Sequence, residues 1–324
     1  MRMRRALFAV AMLASAVAVA VAQTYPARPV TIVLPYAAGG NTDAIARTLA
    51  NRLEQRLGQP FVIEQRLGAA SVIGATYVAR AAPDGYTILI GTSTTMAINV
   101  SVYKNLPYDP TRDLVPIALV AGVPFILVIN PALPVKSLAE LAVYAKSRPD
   151  GMTYASNGAG GAAHLFAELM AGELGIKLVH VPYKGLSPAL NDIMGGHVQM
   201  MFGDFATALP LVQAGKLRAL GVSTAQHVGP APEIPPLAEV GLKDFDASSW
   251  QMMIAPGKLA PDILNRLNAE MRAIVAEPAV QKEFSGRGLI PLSSGTPAEL
   301  QAYVKFEIAR WGDIVKRAGV AATQ

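Results

Sequence analysis

One short pattern occurs twice in this chain, near its start and near its middle: a strand-sized apolar run, a glycine-rich turn, and a helix-sized amphipathic run. Val30 to Leu34, between Pro29 and Pro35, is long enough for a buried strand and too short for a helix. Gly39-Gly40-Asn41-Thr42-Asp43 follows, then residues 44–57 with apolar positions 45, 49, 53 and 57, closed by Gly58. The second copy is a strand over residues 152–156, a glycine loop over 157–161 and a helix over 162–174. Strand alternating with helix gives an α/β fold with mostly parallel, doubly wound sheets, and the restart calls for two of them.

The remaining elements sort onto these two units. The first takes strands at 61–64 and 87–90 and a helix at 73–81. The second takes strands at 177–181, 198–203 and 219–223 and a helix opening at Ser187-Pro188, the serine as its cap. Strands at 115–120 and 125–129 lead from the first unit to the second, and 249–255 returns. Helices at 262–276 and 297–316 then pack on the first lobe. Residues 23–122 plus 248–324 thus form one lobe and 123–247 the other, with a hinge and an interlobe cleft.

Composition narrows the function classes. With 52% hydrophobic and 16% charged residues, disorder is excluded, and 6% aromatics suit helices on a sheet better than an all-β fold. Arg2, Arg4 and Arg5 precede an apolar run at 6–22 that ends Ala20-Val21-Ala22, the pattern of a secretory leader cleaved after Ala22, with an uncleaved membrane anchor as the plainer alternative. Its loss takes the net charge from +5 to +5 − 3 = +2, and no later Lys/Arg cluster invites nucleic acid. The absence of cysteine removes disulfides, thiolate chemistry and a lipidated N-terminus, which fits the periplasm of a Gram-negative bacterium.

Two loops can carry binding. In Tyr36-Ala37-Ala38-Gly39-Gly40-Asn41-Thr42-Asp43, adjacent glycines let successive N–H groups turn inward beside a positive helix end, enough to hold a carboxylate or phosphate. The plainer reading is a turn capped by Thr42 or Asp43. Ser156-Asn157-Gly158-Ala159-Gly160-Gly161-Ala162 occupies the same position in the second lobe, where the two loops would face each other. A dinucleotide fingerprint fails there, since Ala163 replaces its last glycine. Thr92 to Thr95, with Ser93 and Thr94 foremost, Tyr183 and Asp204 sit at other strand ends and can complete a polar pocket. Lys184 reads as a carboxylate partner or a solvated lysine. Asp204 reads as an acceptor for a ligand hydroxyl or ammonium, or as a helix cap. No nucleophile motif or metal spacing appears, and His164, His180, His197 and His227 form no i, i+3 or i, i+4 pair. No cofactor, metal or catalysis is expected, and Trp250 and Trp311 read as packing residues.

Several segments carry a family resemblance: Tyr25-Pro-x-Arg-Pro29, Pro35 to Arg47, Ala82-Pro-Asp-Gly-Tyr86, His180-Val-Pro-Tyr-Lys-Gly185 and Gly215-Lys-Leu-Arg-Ala-Leu220. Through them the chain resembles the Bug family, periplasmic solute receptors of tripartite tricarboxylate transporters. The resemblance implies a two-lobed type II periplasmic-binding-protein fold. It also implies capture of a di- or tricarboxylate or an aromatic acid, and transporter subunits, or alternatively a sensor kinase, as membrane partners. The chain is expected to act as a monomer. By the same resemblance, the first loop, Tyr36 to Asp43, holds a carboxylate through backbone groups and water, Asp43 acting through water or as a cap. The second loop, Ser156 to Ala162, closes over it. Two departures stand out. The turn after the second strand reads Gln65-Arg-Leu-Gly-Ala-Ala-Ser71 where the family has asparagine and glycine, so contacts from it are not carried over. Ala159, Ala162 and Ala163 point to a less polar distal pocket that accepts an apolar or aromatic body.

Overall fold

Five residues rich in β-branched side chains, Val30–Leu34 (β1), lie one strand in from the edge of the first sheet, almost fully buried as a strand covered on both faces must be. The computed structural model describes residues 25–322, so the expected leader lies outside the described residues. Helix α1 (Asn41–Leu57) follows and buries Ile45, Leu49 and Leu53, one side chain per turn. Each such burial contributes roughly 1.5–3 kcal/mol. Gly58 ends the helix in the left-handed conformation, its N–H bonded to the Glu54 carbonyl. Strand β2 (Phe61–Gln65), helix α2 (Val72–Ala79) and β3 (Thr87–Thr92) complete the parallel part of this sheet.

The chain then runs through β4 (Leu114–Val123) and, after Pro124, β5 (Phe125–Ile129). The second lobe adds helix α4 (Leu138–Lys146), β6 (Met152–Ser156), α5 (Ala162–Leu174), β7 (Leu178–Pro182), α6 (Leu186–Met194), β8 (Met200–Asp204), α7 (Phe205–Gln213) and β9 (Arg218–Val222). Strand β10 (Ser249–Pro256) returns to the first sheet, followed by α8 (Pro261–Val275), α9 (Pro278–Gly286), β11 (Ile290–Pro291) and α10 (Pro297–Arg317). A π-helical turn at Thr94–Ile98 and the short α3 (Asn99–Val102) follow β3.

The two sheets repeat one order. The first runs β11-β4-β10-β3-β1-β2 and the second β7-β6-β8-β5-β9. In each, the loop-bearing strand lies between its second and third strands, and the strand arriving from the other lobe comes next. Both sheets are mixed. They are parallel where helices connect the strands and antiparallel where β10 meets β3 and β5 meets β8. The expectation of mostly parallel sheets missed this, because a strand entering directly from the other lobe has no crossover helix to reverse its direction. The two crossings run side by side: Ser249 pairs with Val123, and the Phe125 N–H donates to the Ser223 hydroxyl at 3.0 Å.

Helix α10 does more than cover the first lobe. It packs on β4, where the Trp250 and Trp311 indoles both donate to buried Glu307 at 2.6 and 2.9 Å. It also reaches α5 of the second lobe, through Trp311 stacked on Phe166 and Arg317 paired with Glu173. The helix thus packs mainly on the first lobe and also touches the second. Helix α6 is another difference. It begins at Leu186 after Gly185, so Ser187 is not its cap. Pro188 still lies in the first turn, where no backbone donor is needed.

Candidate functional site

The two glycine loops meet across a cleft between the lobes. It is lined by Tyr36, Gly40, Asn41, Thr92, Thr94 and Gln251 from one side and by Asn157, Ala162, Gly185 and Asp204 from the other, with Ala37 also at its wall. The lobes touch. A Cβ on Gly185 would lie 3.1 Å from that of Ala37, and one on Gly160 only 2.5 Å from Val102 Cγ1.

The first loop turns through Gly39 at φ +79° and Gly40 in extended backbone, which caps α1 without a side-chain bond. Neither Thr42 nor Asp43 is the cap. Asp43, the third helical residue, reaches back and accepts the Gly39 N–H at 3.0 Å. Arg47 braces the carboxylate, donating from Nε at 3.1 Å. Gly39 therefore offers no free amide, and the amides left to face the cleft are those at the start of α1. Asn41 at that start is 3% exposed, and neither atom of its side-chain amide has a partner. Gln251, 2% exposed, donates to Thr42 Oγ1 at 3.0 Å and leaves its own oxygen unpaired. The Asn157 oxygen is likewise unpaired. Tyr36 donates to or accepts from Thr92 at 2.8 Å.

The second loop has a parallel latch. Gly160, at φ +77°, donates its N–H to His164 Nδ1 at 2.8 Å. His164 stacks on His180 with ring centroids 4.1 Å apart, and Tyr154 covers the pair. Ser156, fully buried, bonds His180 Nε2 at 2.6 Å. Burial pushes both imidazoles down to about 4, His180 adding to the effect on His164. They are neutral supports, which suits an acceptor role for Nδ1. A Cβ on Gly161 would sit 2.4 Å from the Asn157 oxygen, so a larger residue there would push that side chain aside.

Of the residues expected at the site, Tyr36, Ala37, Gly40, Asn41, Thr94, Asn157, Ala162 and Asp204 line the cleft. Gly39, Asp43, Ser156, Gly160 and Gly161 shape the loops from behind. Ser93 is not brought in, its hydroxyl being bonded to Ser249 at 2.7 Å. Gly158 and Tyr183 line a neighbouring cavity beside Ala69, Ala70 and Lys184, and the Tyr183 hydroxyl is committed to Asp192 at 2.6 Å. Asp204 stands at the N-cap position of α7 but makes no capping bond. Burial pushes its carboxyl up to about 7. The turn after β2, from which no contacts were carried over, does border that neighbouring cavity. Ala69, Ala70 and Ser71 hold left-handed backbone there without glycine's freedom. Thr92, within the strand-end run 92–95 expected to supply hydroxyls, also lines the cleft, whereas Gln251 was missed by sequence reasoning. A glutamine inside the otherwise apolar run 250–255 was the available signal for it.

No lysine, arginine or histidine lines the main cleft among the described residues. It offers helix-start amides, side-chain amides and hydroxyls, a set that binds an anion by directed hydrogen bonds. Comparison with known proteins agrees. Residues 45–320 match the model of the tripartite tricarboxylate transporter family receptor. The chain is 37% identical to Protein BugT of Bordetella pertussis over 299 residues, 92% of this chain and 91% of that one. The adipate-bound structure of R. palustris Rpa4515 superposes with a TM-score of 0.88 at 37% identity, covering 92% of this chain and 99% of that one. The periplasmic binding protein BugD gives 0.86 at 36% identity, with coverage of 92% and 99%. The chain belongs to the tripartite tricarboxylate transporter family of solute-binding receptors.

Proposed function

We propose that this protein captures a small carboxylate in the interlobe cleft, within the periplasm, and delivers it to the membrane subunits of a tripartite tricarboxylate transporter. The observation that carries the reading is the buried, unpartnered side-chain amide of Asn41, whose Nδ2 is free to donate, beside the start of α1 in a cleft lined by no cation among the described residues. A buried polar group without a partner costs about 1–3 kcal/mol, so such groups mark where a ligand supplies the bond. The α1 N-terminus favours a negative ligand at that point. The adipate held by the R. palustris relative is an acid of the expected class. Val123, Phe125 and Ala162 supply an apolar wall for the body of the acid. Closure of the lobes around the ligand then presents one surface to the transporter, and no chemical step on the ligand is required.

A thermal-shift screen against mono-, di- and tricarboxylates, aromatic acids included, tests the capture step. A ligand at about 100 times its Kd adds roughly 2.7 kcal/mol of stability. No shift with any acid would remove the carboxylate reading. Pull-down of membrane subunits by ligand-loaded protein, and not by ligand-free protein, tests delivery.

A further inference from the structure

Asp204 is the cleft residue whose chemistry runs against the rest. It ends β8, opposite Phe125 on β5, and is 8% exposed. Its carboxyl lines the cleft, caps nothing, and makes no side-chain hydrogen bond or ion pair among the described residues. The cleft lining holds no cation to neutralise it.

The surroundings supply none either. Strand β5 and helix α7, both packed on β8, carry no titratable side chain. Strand β6 brings Tyr154, which donates to Glu168. Helix α5 brings His164, held neutral by burial, with Glu168 and Glu173, and Arg317 pairs with Glu173. Helix α6 brings Asp192, bonded by Tyr183. Across the cleft, Tyr36 is a phenol bonded to Thr92, and Arg47 is tied to Asp43. Lys184 is exposed and lines the neighbouring cavity. A ligand carboxylate entering here would put two carboxylates in one low-dielectric cleft, and such a pair holds at most one full negative charge stably.

We propose that Asp204 carries a proton whenever the cleft holds a carboxylate, so that binding of the acid is coupled to uptake of one proton. This rests on the carboxylate reading above and adds to it. The proton comes from solvent, resides on the Asp204 carboxyl, and returns to solvent when the ligand leaves. The protonated acid can donate to the ligand, a role that a cation would play in a conventional anion site. Its midpoint near 7 places the change at neutral pH. Affinity then follows the protonated fraction of the free protein.

The test is calorimetric titration of the full chain with adipate, malate and benzoate as probes at pH 6.5 and 8.5, where all three are ionised. Each experiment is run in two buffers of different ionisation enthalpy. Expected is a loss of about 20-fold in affinity between these pH values, with close to one proton taken up per ligand at the higher one. In Asp204→Asn the pH dependence disappears. Equal affinity at both pH values with no proton uptake in the wild type would overturn the inference and leave carboxylate capture standing. So would a variant that keeps the full pH dependence, since the proton would then sit elsewhere. If Asp204→Asn does not bind at all, the wild-type proton count decides alone. Tighter binding at pH 8.5 by an acid bearing an ammonium group would also overturn it, since Asp204 would then act as an ionised acceptor. No binding by any acid at either pH removes the carboxylate reading and this inference together.

Discussion

The two glycine loops share a backbone and differ in chemistry. Each has a glycine at φ near +78° (+79° at Gly39, +77° at Gly160), followed by a glycine cap in extended backbone. In each, the third helical side chain returns to the N–H of the first glycine. In the first lobe that side chain is Asp43, a carboxylate braced by Arg47, and the helix opens with Asn41. In the second it is His164, a neutral imidazole within an aromatic stack, and the helix opens with Ala162. One latch is charge-assisted and sets a polar side chain, Asn41, at the cleft. The other is neutral and positions an apolar cover. The repeated architecture thus sets where a cleft can form, while the side chains divide its labour.

The largest expected effect comes from filling the first loop. Gly40→Val should weaken acid binding by at least about 100-fold in calorimetry, because the branched side chain covers the helix start that an anion must approach. Its Cβ meets the Ala37 carbonyl at an ordinary 3.6 Å, so the ligand-free melting temperature should stay within a few degrees. Normal binding would break the assignment of the first loop as reader.

Asn41→Ala and Asp43→Ala then separate reading from latching. Both should weaken binding by roughly 10- to 100-fold, the equivalent of about 1.5–3 kcal/mol for a bond involving a charged group. Their ligand-free stabilities should move in opposite directions. Asn41→Ala removes an unpaired buried amide and should raise the melting temperature, whereas Asp43→Ala frees the Gly39 N–H and should lower it. Equal shifts of one sign would show that the two residues do the same job.

A smaller change is expected in the second lobe. His164→Ala removes one neutral bond, about 0.5–1.5 kcal/mol, and should weaken binding by no more than about tenfold. A loss matching that of Asp43→Ala would erase the contrast between the loops.

Acidification should reveal the titratable stack. Burial lowers His164 and His180 to about 4, against 6.5 unperturbed, so the unfolded chain takes up their protons first. Their contribution is complete above about pH 6.5 and is lost as pH falls toward 4. Asp204, raised to about 7 from 3.8, titrates in the opposite sense over the same range. Melting curves are therefore best read in Asp204→Asn, where stability should fall more steeply with acid than in wild type. A flat profile in that variant would contradict neutral, buried histidines.

Local elements were legible where local chemistry suffices. Strand Val30–Leu34 and helix Ala162–Leu174 have the extents that their apolar spacing predicts, and Gly58 ends α1 as a glycine at that point should. Helix α9, strand β11 and the π-helical turn at Thr94–Ile98 were not foreseen. Each is short or carries a pattern shared with loops, so its form depends on the sheet it packs against. The start of α6 was misplaced because Ser187-Pro188 looks like a cap and first turn, while the chain enters the helix from Gly185.

The sequence by itself determined the two strand–glycine–helix units and the absence of cysteine, and it singled out the first loop as a candidate anion site. Glycine pairs, helix periodicity and residue types are properties of a few neighbouring residues, and they survive without tertiary context. Tertiary structure decided which groups of those loops are free to bind. It spent the Gly39 N–H on Asp43, the Ser93 hydroxyl on Ser249 and the Tyr183 hydroxyl on Asp192. It brought Gln251, 209 residues away in the chain, onto Thr42 beside the first loop, and left the Asp204 carboxyl buried without a side-chain partner among the described residues. Hydrogen-bond capacity is a count closed over all neighbours in space, and no local reading of the chain can close it.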